Sequence, residues 1–289
     1  KNIEILETQI INKNSLIKSI LNKVLIIFFG KNIFFERFLI KNNIDSISHF
    51  EFTGRNSNIK SYTWFADFQE IHLPENFSFR GRILRALNLY LAYRNSTGLI
   101  ISSKSVFKDL KKINEKYTQK AILLKHAINI NKIVSYSKSE KILKKYGIKK
   151  NFFYLPNHFW KHKNHLTVLK ALKYLKKKND KFTVVSSGNF NDHRDYDHRN
   201  FLKKYIKENY LEDVFQYIGI VPFDDLVALM LRSLAVINPS KSEGLSNTVE
   251  QAKALGKKVL VSNIPVHLEQ KNSNFYFFKS ESHKDLAKL

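Results

Sequence analysis

One segment in the second half of the chain decides the predicted fold, and it reads Asn238-Pro-Ser-Lys-Ser-Glu-Gly-Leu-Ser-Asn-Thr-Val-Glu-Gln-Ala-Lys-Ala-Leu-Gly256. The apolar run 234–238 leads into it, and a helical pattern begins near Asn247. The segment therefore predicts a buried strand, a loop and then a helix. Ligands of parallel α/β sheets bind at the carboxyl ends of the strands, so this loop is a candidate binding site.

The loop carries groups that suit a phosphorylated or hydroxylated ligand. Gly244 lets the backbone approach a ligand closely, while Glu243 and Glu250 can accept hydrogen bonds from vicinal hydroxyls. Backbone N–H groups at a helix start suit an anion such as a phosphate, and here they belong to Leu245, Ser246, Asn247 and Thr248. Ordinary capping, with Asn247 and Glu250 as a capping box, explains the same residues and remains an alternative.

Short apolar runs alternate with longer periodic segments along the rest of the chain, which is typical of βαβ units. Strands are predicted at 23–29, 59–65, 99–103, 121–126, 152–156, 182–187, 214–218, 234–238 and 259–262. Helices are predicted at 31–41, 80–96, 104–114, 164–178, 199–209, 223–232 and 247–255. The fold class is therefore α/β, with two Rossmann-like, doubly wound parallel sheets in domains 1–135 and 136–289 that face a central cleft.

The composition bounds the class of protein. The chain has 289 residues, 43% of them hydrophobic, which suffices for two domains with cores and excludes a disordered tail. The absence of cysteine excludes disulfide scaffolds, zinc–thiolate sites and cysteine nucleophiles. The longest apolar run, Val24–Phe29, is far shorter than the roughly 20 residues that a membrane span needs.

The net charge is +24, which favours polyanionic partners: nucleic acid, an anionic membrane face or phosphorylated small molecules. A compositional drift toward Lys, Asn, Ile and Phe explains the excess equally well. The predicted helix from Phe79 to Tyr93 combines apolar and basic residues: Ile83, Leu84, Leu87 and Leu91 with Arg80, Arg82, Arg85 and Arg94. We expect its apolar face to pack on its own sheet, with docking on an anionic leaflet as the alternative.

The segment 243–256, followed by a predicted strand and Ser262-Asn-Ile-Pro-Val-His267, resembles the signature of the group 1 (family 4) glycosyltransferases of the GT-B fold. The family's two glutamates usually enclose seven residues. Here Glu243 and Glu250 enclose six, which is similar to one branch of the family. The resemblance implies that Glu250 holds a nucleotide-sugar donor and that Glu243 contacts the sugar.

A second segment, Leu155-Pro-Asn-His-Phe-Trp-Lys-His-Lys-Asn-His165, resembles the place where the family grips the donor diphosphate with an arginine and a lysine. Lys163 matches the lysine, whereas Asn157 or His158 stands where the arginine would be. Diphosphate binding then depends on Lys163, on helix N–H groups and on Lys161. The spacing of His158, His162 and His165 imitates a metal site, but the interleaved lysines would repel a cation, so no metal is expected.

Two further segments have a counterpart in the family, and a third is a candidate because it ends a predicted strand. Asp67, Gln69 and His72, within Trp64-Phe-Ala-Asp-Phe-Gln-Glu-Ile-His-Leu-Pro-Glu75, resemble a run that lines the cleft on the acceptor side. Ser187 and Gly188 end a predicted strand and can touch a phosphate through backbone N–H groups. Gly219 lies where the family holds the nucleotide base. The alternatives are a capping Asp67 and plain turns at the strand ends.

The resemblance implies a retaining glycosyltransferase of the hexosyltransferase type, with Lys163 and Glu243 as catalytic residues. The implied partners are a nucleotide sugar and a glycan or lipid-linked acceptor, with no cofactor and no metal. The implied setting is bacterial surface polysaccharide or lipopolysaccharide synthesis, in the cytoplasm or peripherally on the inner face of the membrane. We expect the first domain to be incomplete at its start and the second to lack its last helices. A basic nucleic-acid-binding protein and an inactive sugar-nucleotide binder are the alternatives.

Overall fold

A computed structural model describes residues 16–49, 52–125, 128, 130, 136–149, 151–178, 182–190 and 196–289. The chain forms two compact units, Lys1–Lys125 and His126–Leu289. Each unit contains one parallel β-sheet, as the sequence predicts. None of the helices in the described ranges is both long and apolar enough to cross a membrane.

The first unit has a four-stranded parallel sheet with its strands in chain order. The strands are β1 (Ser46–His49), β2 (Lys60–Phe65), β3 (Gly98–Ile101) and β4 (Ala121–Leu123). The helices are α1 (Leu16–Phe29), α2 (Ile33–Lys41), α3 (Gln69–His72), α4 (Phe79–Asn95) and α5 (Lys104–Ile113). The sheet packs on α4 and α5 through Leu99, Ile101, Leu89 and Leu110, which are buried.

The strand predicted at Lys23–Phe29 is wrong, because these residues end the helix α1. A short apolar run fits a buried strand and a buried helix equally well. The residues before it decide the outcome, because Ile17, Leu21 and Val24 follow the spacing of a helix and no glycine interrupts the chain before Gly30.

The second unit has a six-stranded sheet, all parallel, in the order β10-β9-β8-β5-β6-β7. The strands are β5 (Phe152–Pro156), β6 (Thr183–Ser187), β7 (Phe215–Tyr217), β8 (Val236–Asn238), β9 (Val259–Ser262) and β10 (Phe275–Phe278). The helices are α6 (Tyr136–Lys145), α7 (His165–Lys177), α8 (Tyr196–Glu208), α9 (Phe223–Arg232), α10 (Asn247–Ala254), α11 (Pro265–Gln270) and α12 (His283–Lys288). This is the doubly wound Rossmann order, whose direction reverses between β5 and β8.

Both faces of the second sheet are buried. In the central strand β5, Phe152 and Tyr154 point into one apolar cluster, whereas Phe153 and Leu155 contact the other. This alternation follows from the two-residue period of a strand. Burial on both faces explains why β5 is a continuous apolar run. The turn after Pro156 lies at the reversal point of the sheet because β5 pairs with β6 on one side and with β8 on the other.

We expected the apolar face of α4 to pack on its own sheet, and for most of its residues this prediction is wrong. Ile83, Leu84 and Leu87 are exposed, and Leu91 is half-buried. The helix instead buries Leu89, Ala92 and Asn95, near its carboxyl end. The sequence pattern identified an apolar face correctly but could not show that the sheet contacts a different side of the helix.

Candidate functional site

A buried ion pair lies at the reversal point of the second sheet. Lys163 ends a 3-10 turn between β5 and α7, and Glu243 lies in the loop between β8 and α10. The Lys163 Nζ lies 2.6 Å from the Glu243 Oε1, and the two side chains are 14% and 9% exposed. The fold thus brings together two residues that the sequence separates by 80 positions.

Hydrogen bonds tie the two loops that carry this pair. Asn164 adopts the left-handed conformation (φ 56°), and its Nδ2 donates to the Pro239 carbonyl at 3.0 Å. The Lys241 N–H donates to the His162 carbonyl at 2.8 Å. The lysine and the glutamate are therefore held by their backbones as well as by their charges.

The Glu243 carboxylate is stabilised in its charged form. Burial by itself would raise its pKa, but the Lys163 ammonium and hydrogen bonds from Lys163 and Ser240 outweigh burial, so the pKa lies below its usual value. The Ser240 hydroxyl lies 2.7 Å from the Glu243 Oε1 and 2.7 Å from the Asn238 Oδ1. The sequence reasoning missed Ser240, although a polar run directly after a buried strand is a usable signal.

The start of α10 differs from the capping box considered above. Ser246, not Asn247, is the N-cap, and its hydroxyl accepts a hydrogen bond from the Val249 N–H at 3.4 Å. Asn238 Nδ2 donates to the same hydroxyl at 2.7 Å. In this loop and helix start, Asn247 is exposed, Gly244 is buried and Leu245 is half-buried.

Asn157 and His158 occupy the turn after β5, where the family's arginine was expected. The buried Asn157 accepts a hydrogen bond from the Thr248 hydroxyl at 3.2 Å, while its Nδ2 has no hydrogen-bond partner among the described residues. The Asn189 N–H donates to the His158 Nδ1 at 2.8 Å. Burial, and secondarily the charge of Lys163, lowers the pKa of His158.

Gly188 brings the turn after β6 against the turn after β5. It has φ +137°, and a Cβ atom there would lie 2.5 Å from the Asn157 carbonyl oxygen. The Gly188 N–H already donates to the Gly219 carbonyl at 2.9 Å, so it is engaged rather than presented to a phosphate. The buried Ser187 hydroxyl lies 2.6 Å from the Tyr154 hydroxyl. Gly188 is therefore needed at this position because it has no side chain, which lets the two turns pack closely.

Glu250 is held by a residue that the sequence reasoning missed. The Gln270 Nε2 donates to the Glu250 Oε1 at 2.9 Å and to the Ser246 carbonyl at 3.1 Å. Gln270 also accepts a hydrogen bond from the Ser246 N–H at 3.3 Å, through Oε1. It ends α11, and nothing in its local sequence distinguishes it from a solvated helix end.

His267, on α11, lies behind the ion pair. Its Nδ1 lies 2.9 Å from the Ser262 carbonyl, which can only accept a hydrogen bond, so this nitrogen carries the proton. Burial lowers the pKa of His267 to about 4. The ring is therefore neutral near pH 7.

The expected acceptor-side residues lie in the first unit and have separate surroundings. Asp67 lines a cavity of about 230 Å³ and lies 3.5 Å from an Arg85 nitrogen. It does not cap α3, whose N-cap is Phe68. Gln69 is buried, and the His72 Nε2 lies 2.7 Å from the Asp109 Oδ2, a contact that raises the pKa of His72.

The three histidines with metal-like spacing do not converge. The His165 ring stacks on Phe159, with centroids 3.9 Å apart, while His158 accepts from the Asn189 backbone. His162 is buried in the 3-10 turn. Among the residues that the structure describes, no three His, Asp or Glu side chains form a group that could hold a metal ion.

Solved structures of glycosyltransferases share this architecture. A glycosyltransferase from Rickettsia africae ESF-5 is 20% identical, with a TM-score of 0.68 over 99% of this chain and 72% of that one. Anabaena Alr3699/HepE, solved with UDP and glucose, is 17% identical, with a TM-score of 0.71 over 88% of this chain and 69% of that one. At these identities the likeness establishes the fold, which is of the GT-B type. No curated protein matched the sequence.

The family profile described as "Glycosyl transferases group 1" matches residues 138–289. The matched range contains the whole sheet of the second unit together with Lys163, Glu243 and Glu250. It also spans more than half of the 289 residues. The chain therefore belongs to the group 1 glycosyltransferases.

Proposed function

We propose that the chain transfers a hexosyl group from a nucleotide-diphosphate donor to an acceptor hydroxyl, with retention of the anomeric configuration. The observation that carries the proposal is the buried Lys163–Glu243 pair at the reversal point of the second sheet. Ligands of this fold bind at that point, outside the carboxyl ends of the strands. The complex of Anabaena Alr3699/HepE with UDP-glucose supports a nucleotide sugar as donor.

Lys163 would stabilise the leaving group. As the glycosidic bond breaks, negative charge grows on the departing diphosphate while the sugar becomes oxocarbenium-like. An ammonium group has three protons, so Lys163 can keep its bond to Glu243 and still donate to a phosphate oxygen. The amino-terminal turn of α10 adds the positive end of its dipole. This cationic lysine takes the part that a metal ion plays elsewhere, and no metal is included in the proposal.

The two glutamates would hold the sugar and the nucleotide. Glu243 is charged and fixed by Lys163 and Ser240, so its free lone pairs can accept hydrogen bonds from sugar hydroxyls. Glu250 keeps one carboxylate oxygen on Gln270 and can use the other for vicinal hydroxyls such as those of a ribose. Asn157, which is buried, stands where the arginine was expected and supplies no positive charge.

The acceptor and the setting follow from the resemblance. The acceptor would be a glycan or a lipid-linked hydroxyl compound, and Asp67 in the cavity of the first unit is the residue we assign to its side. The setting would be the synthesis of a bacterial surface polysaccharide or lipopolysaccharide, in the cytoplasm at the inner face of the membrane.

A ligand panel with a transfer assay tests the proposal. We expect one nucleotide sugar among UDP-glucose, UDP-GlcNAc, GDP-mannose and ADP-glucose to raise the thermal unfolding temperature. The same donor should release its nucleoside diphosphate when an acceptor is added, and magnetic resonance of the product should show the donor's anomeric configuration. Stabilisation without turnover would identify an inactive binder. No stabilisation by any donor, with salt-dependent binding to duplex DNA, would identify a nucleic-acid-binding protein.

The variant Lys163→Ala tests the lysine, with Lys170→Ala as its matched control, because Lys170 is an exposed lysine of α7 with no role in the proposed site. We expect Lys163→Ala to lower kcat by about 100-fold or more, since it removes the charge opposite the diphosphate. Lys170→Ala should retain most of the activity. Equal activity of Lys163→Ala and the parent chain would refute the assigned role.

A further inference from the structure

The amino-terminal half of α4 presents large apolar side chains to solvent. Phe79 is 69% exposed and Leu84 is 64% exposed, and Ile83 and Leu87 are close to half exposed. Phe79, Ile83 and Leu87 recur every fourth residue, so they form one stripe along the helix. We call the side chains of Phe79, Ile83, Leu87 and Tyr90 the α4 face.

This face points away from the body of the first unit. Leu89, Ala92 and Asn95, the buried residues of α4, lie on the opposite side of the helix at 100° per residue. The helix therefore rests on the sheet with one side and offers an apolar stripe on the other. Apolar residues grouped in this way mark an interaction site more often than scattered ones do.

Arginines border the stripe. Arg80, Arg82 and Arg94 are exposed, and the sequence of α4 contains no acidic residue. The Arg82 guanidinium lies 5.9 Å from the Phe79 ring centre, and that of Arg94 lies 5.8 Å from the Tyr90 ring centre. Arg85 differs, because its Nε donates to Glu70 at 2.8 Å on the cavity side of the helix.

From this arrangement we propose that the α4 face docks on the surface of an anionic lipid bilayer. Aromatic and aliphatic side chains would enter the boundary between headgroups and acyl chains, and the flanking arginines would reach the lipid phosphates. The charge of the helix is complementary to an anionic leaflet. A second copy of the chain fits less well, since a symmetric contact would bring the same arginines together. Nucleic acid fits less well too, because an apolar stripe cannot contact a phosphate backbone favourably.

The docking surface and the cavity of the first unit share one helix. Arg85 and Asn88 of α4 line the cavity that also contains Asp67. A docked α4 would thus hold this cavity close to the bilayer, where a lipid-linked hydroxyl compound would be available. The docking itself does not depend on sugar transfer, so a negative result in the donor assays leaves it standing.

Vesicle co-sedimentation of the full chain tests the proposal. We expect binding to vesicles that contain phosphatidylglycerol and little binding to pure phosphatidylcholine. Ile83→Glu/Leu87→Glu should reduce binding to background. Arg80→Gln/Arg82→Gln should weaken it by about 30-fold, because each arginine near an anionic surface contributes several-fold. The matched controls lie on α8, where Phe201→Glu and Lys203→Gln/Lys207→Gln change exposed residues of the same kinds.

Several outcomes would overturn the proposal. The first is that the parent chain does not bind anionic vesicles, and the second is that it binds neutral vesicles equally well. The third is that both α4 variants bind as the parent chain does while keeping its thermal stability. Sedimentation velocity tests a fourth outcome. If the parent chain is a dimer and Ile83→Glu/Leu87→Glu is a monomer, the α4 face binds a second copy of the chain. Tighter binding to duplex DNA than to vesicles, lost in Arg80→Gln/Arg82→Gln, would assign it to nucleic acid.

Discussion

Glu250 shows at the scale of one residue how the site separates binding from folding. Its side chain is 18% exposed and keeps only one oxygen on Gln270. We expect Glu250→Ala to weaken donor binding by about tenfold or more, since a hydrogen bond to a charged group is worth roughly 1.5–3 kcal/mol. The free energy of unfolding should change by no more than about 1 kcal/mol. Isothermal titration with the donor from the panel, together with urea unfolding, measures both quantities.

The control for that variant is Glu281→Ala, which removes an exposed acid from the same unit, paired with Lys241 away from the Glu250–Gln270 contact. Unchanged donor affinity in Glu250→Ala would contradict the assignment. A loss of several kcal/mol of stability would show instead that Glu250 serves the fold.

Two buried histidines predict how stability depends on pH. Burial lowers the pKa of His165 to about 3 and that of His267 to about 4, below the usual value near 6.5. Between pH 6.5 and pH 5 the unfolded chain therefore binds protons that the folded chain excludes, so stability falls as the pH falls. Each histidine contributes up to about 1.4 kcal/mol per pH unit.

Urea unfolding at pH 6.5, 6 and 5 checks this dependence, and His165→Asn and His267→Asn should each flatten it. His72 has the opposite sign, because Asp109 raises its pKa, so its contribution is present below about pH 6.5 and is lost as the pH rises further. The chosen window keeps the two effects apart. Equal slopes in both variants and the parent chain would contradict the prediction.

Single residues also show what the sequence can and cannot predict about the site. Glu243 and Glu250 were selected because they follow a predicted buried strand, and Lys163 because its segment resembles the family's diphosphate-binding turn. The fold brings Lys163 and Glu243 into contact. The contact between Lys163 and Glu243 depends on the strand order β8-β5, which local periodicity does not contain. The sequence analysis missed Gln270 and Ser240 for a related reason. Their roles depend on contacts with Glu250 and Glu243, which the local sequence does not show.

The turns after β5 and β6 fit together, and this contact makes a prediction at the scale of an element. At Gly188 an added Cβ would lie 2.5 Å from the Asn157 carbonyl oxygen and 2.9 Å from the His158 nitrogen, both backbone atoms. The turns cannot separate without moving Asn157. We expect Gly188→Ala to lower the free energy of unfolding by about 2–3 kcal/mol, as a strained backbone and a clash together imply.

Gly256→Ala is the matched control for that variant. Gly256 also has a positive φ, +63°, but an added Cβ there would meet no atom of the described residues within 4 Å. Gly256→Ala should lower the free energy of unfolding by about 1 kcal/mol, the usual penalty for the left-handed conformation. Urea unfolding measures both variants, and a Gly188→Ala no more costly than Gly256→Ala would contradict the close fit of the two turns.

The helices and strands differ in how well the sequence predicts their bounds and contacts. The bounds of β5, β9 and α9 agree with the sequence prediction to the residue, because each is either buried on both faces or strongly amphipathic. The prediction failed for α1, because a run of six apolar residues shows neither the period of a helix nor that of a strand. α4 was located correctly but its contacts were not, since an apolar face does not say what covers it.

At the scale of the whole molecule, the Rossmann order of the second sheet gathers groups from distant parts of the chain. Lys163, Gly188 and Glu243 lie in the turns that follow β5, β6 and β8, and Glu250 lies in the first turn of α10. No single segment contains the site, so a donor that binds there should restrain several separate segments at once. The net charge of +24 attracts a diphosphate but does not locate it.

Hydrogen exchange with and without UDP measures this restraint across the chain. At about 100 times the dissociation constant, UDP should slow by up to about 100-fold those openings that disrupt its site. We expect slower exchange in peptides covering 157–164, 186–189 and 239–250, and no change in 202–211, the core end of α8 and its turn. Lys163→Ala under the same conditions should lose the effect. Slowing that leaves 157–164 and 239–250 untouched would place the nucleotide elsewhere and remove the basis for assigning Lys163 and Glu243 to one site.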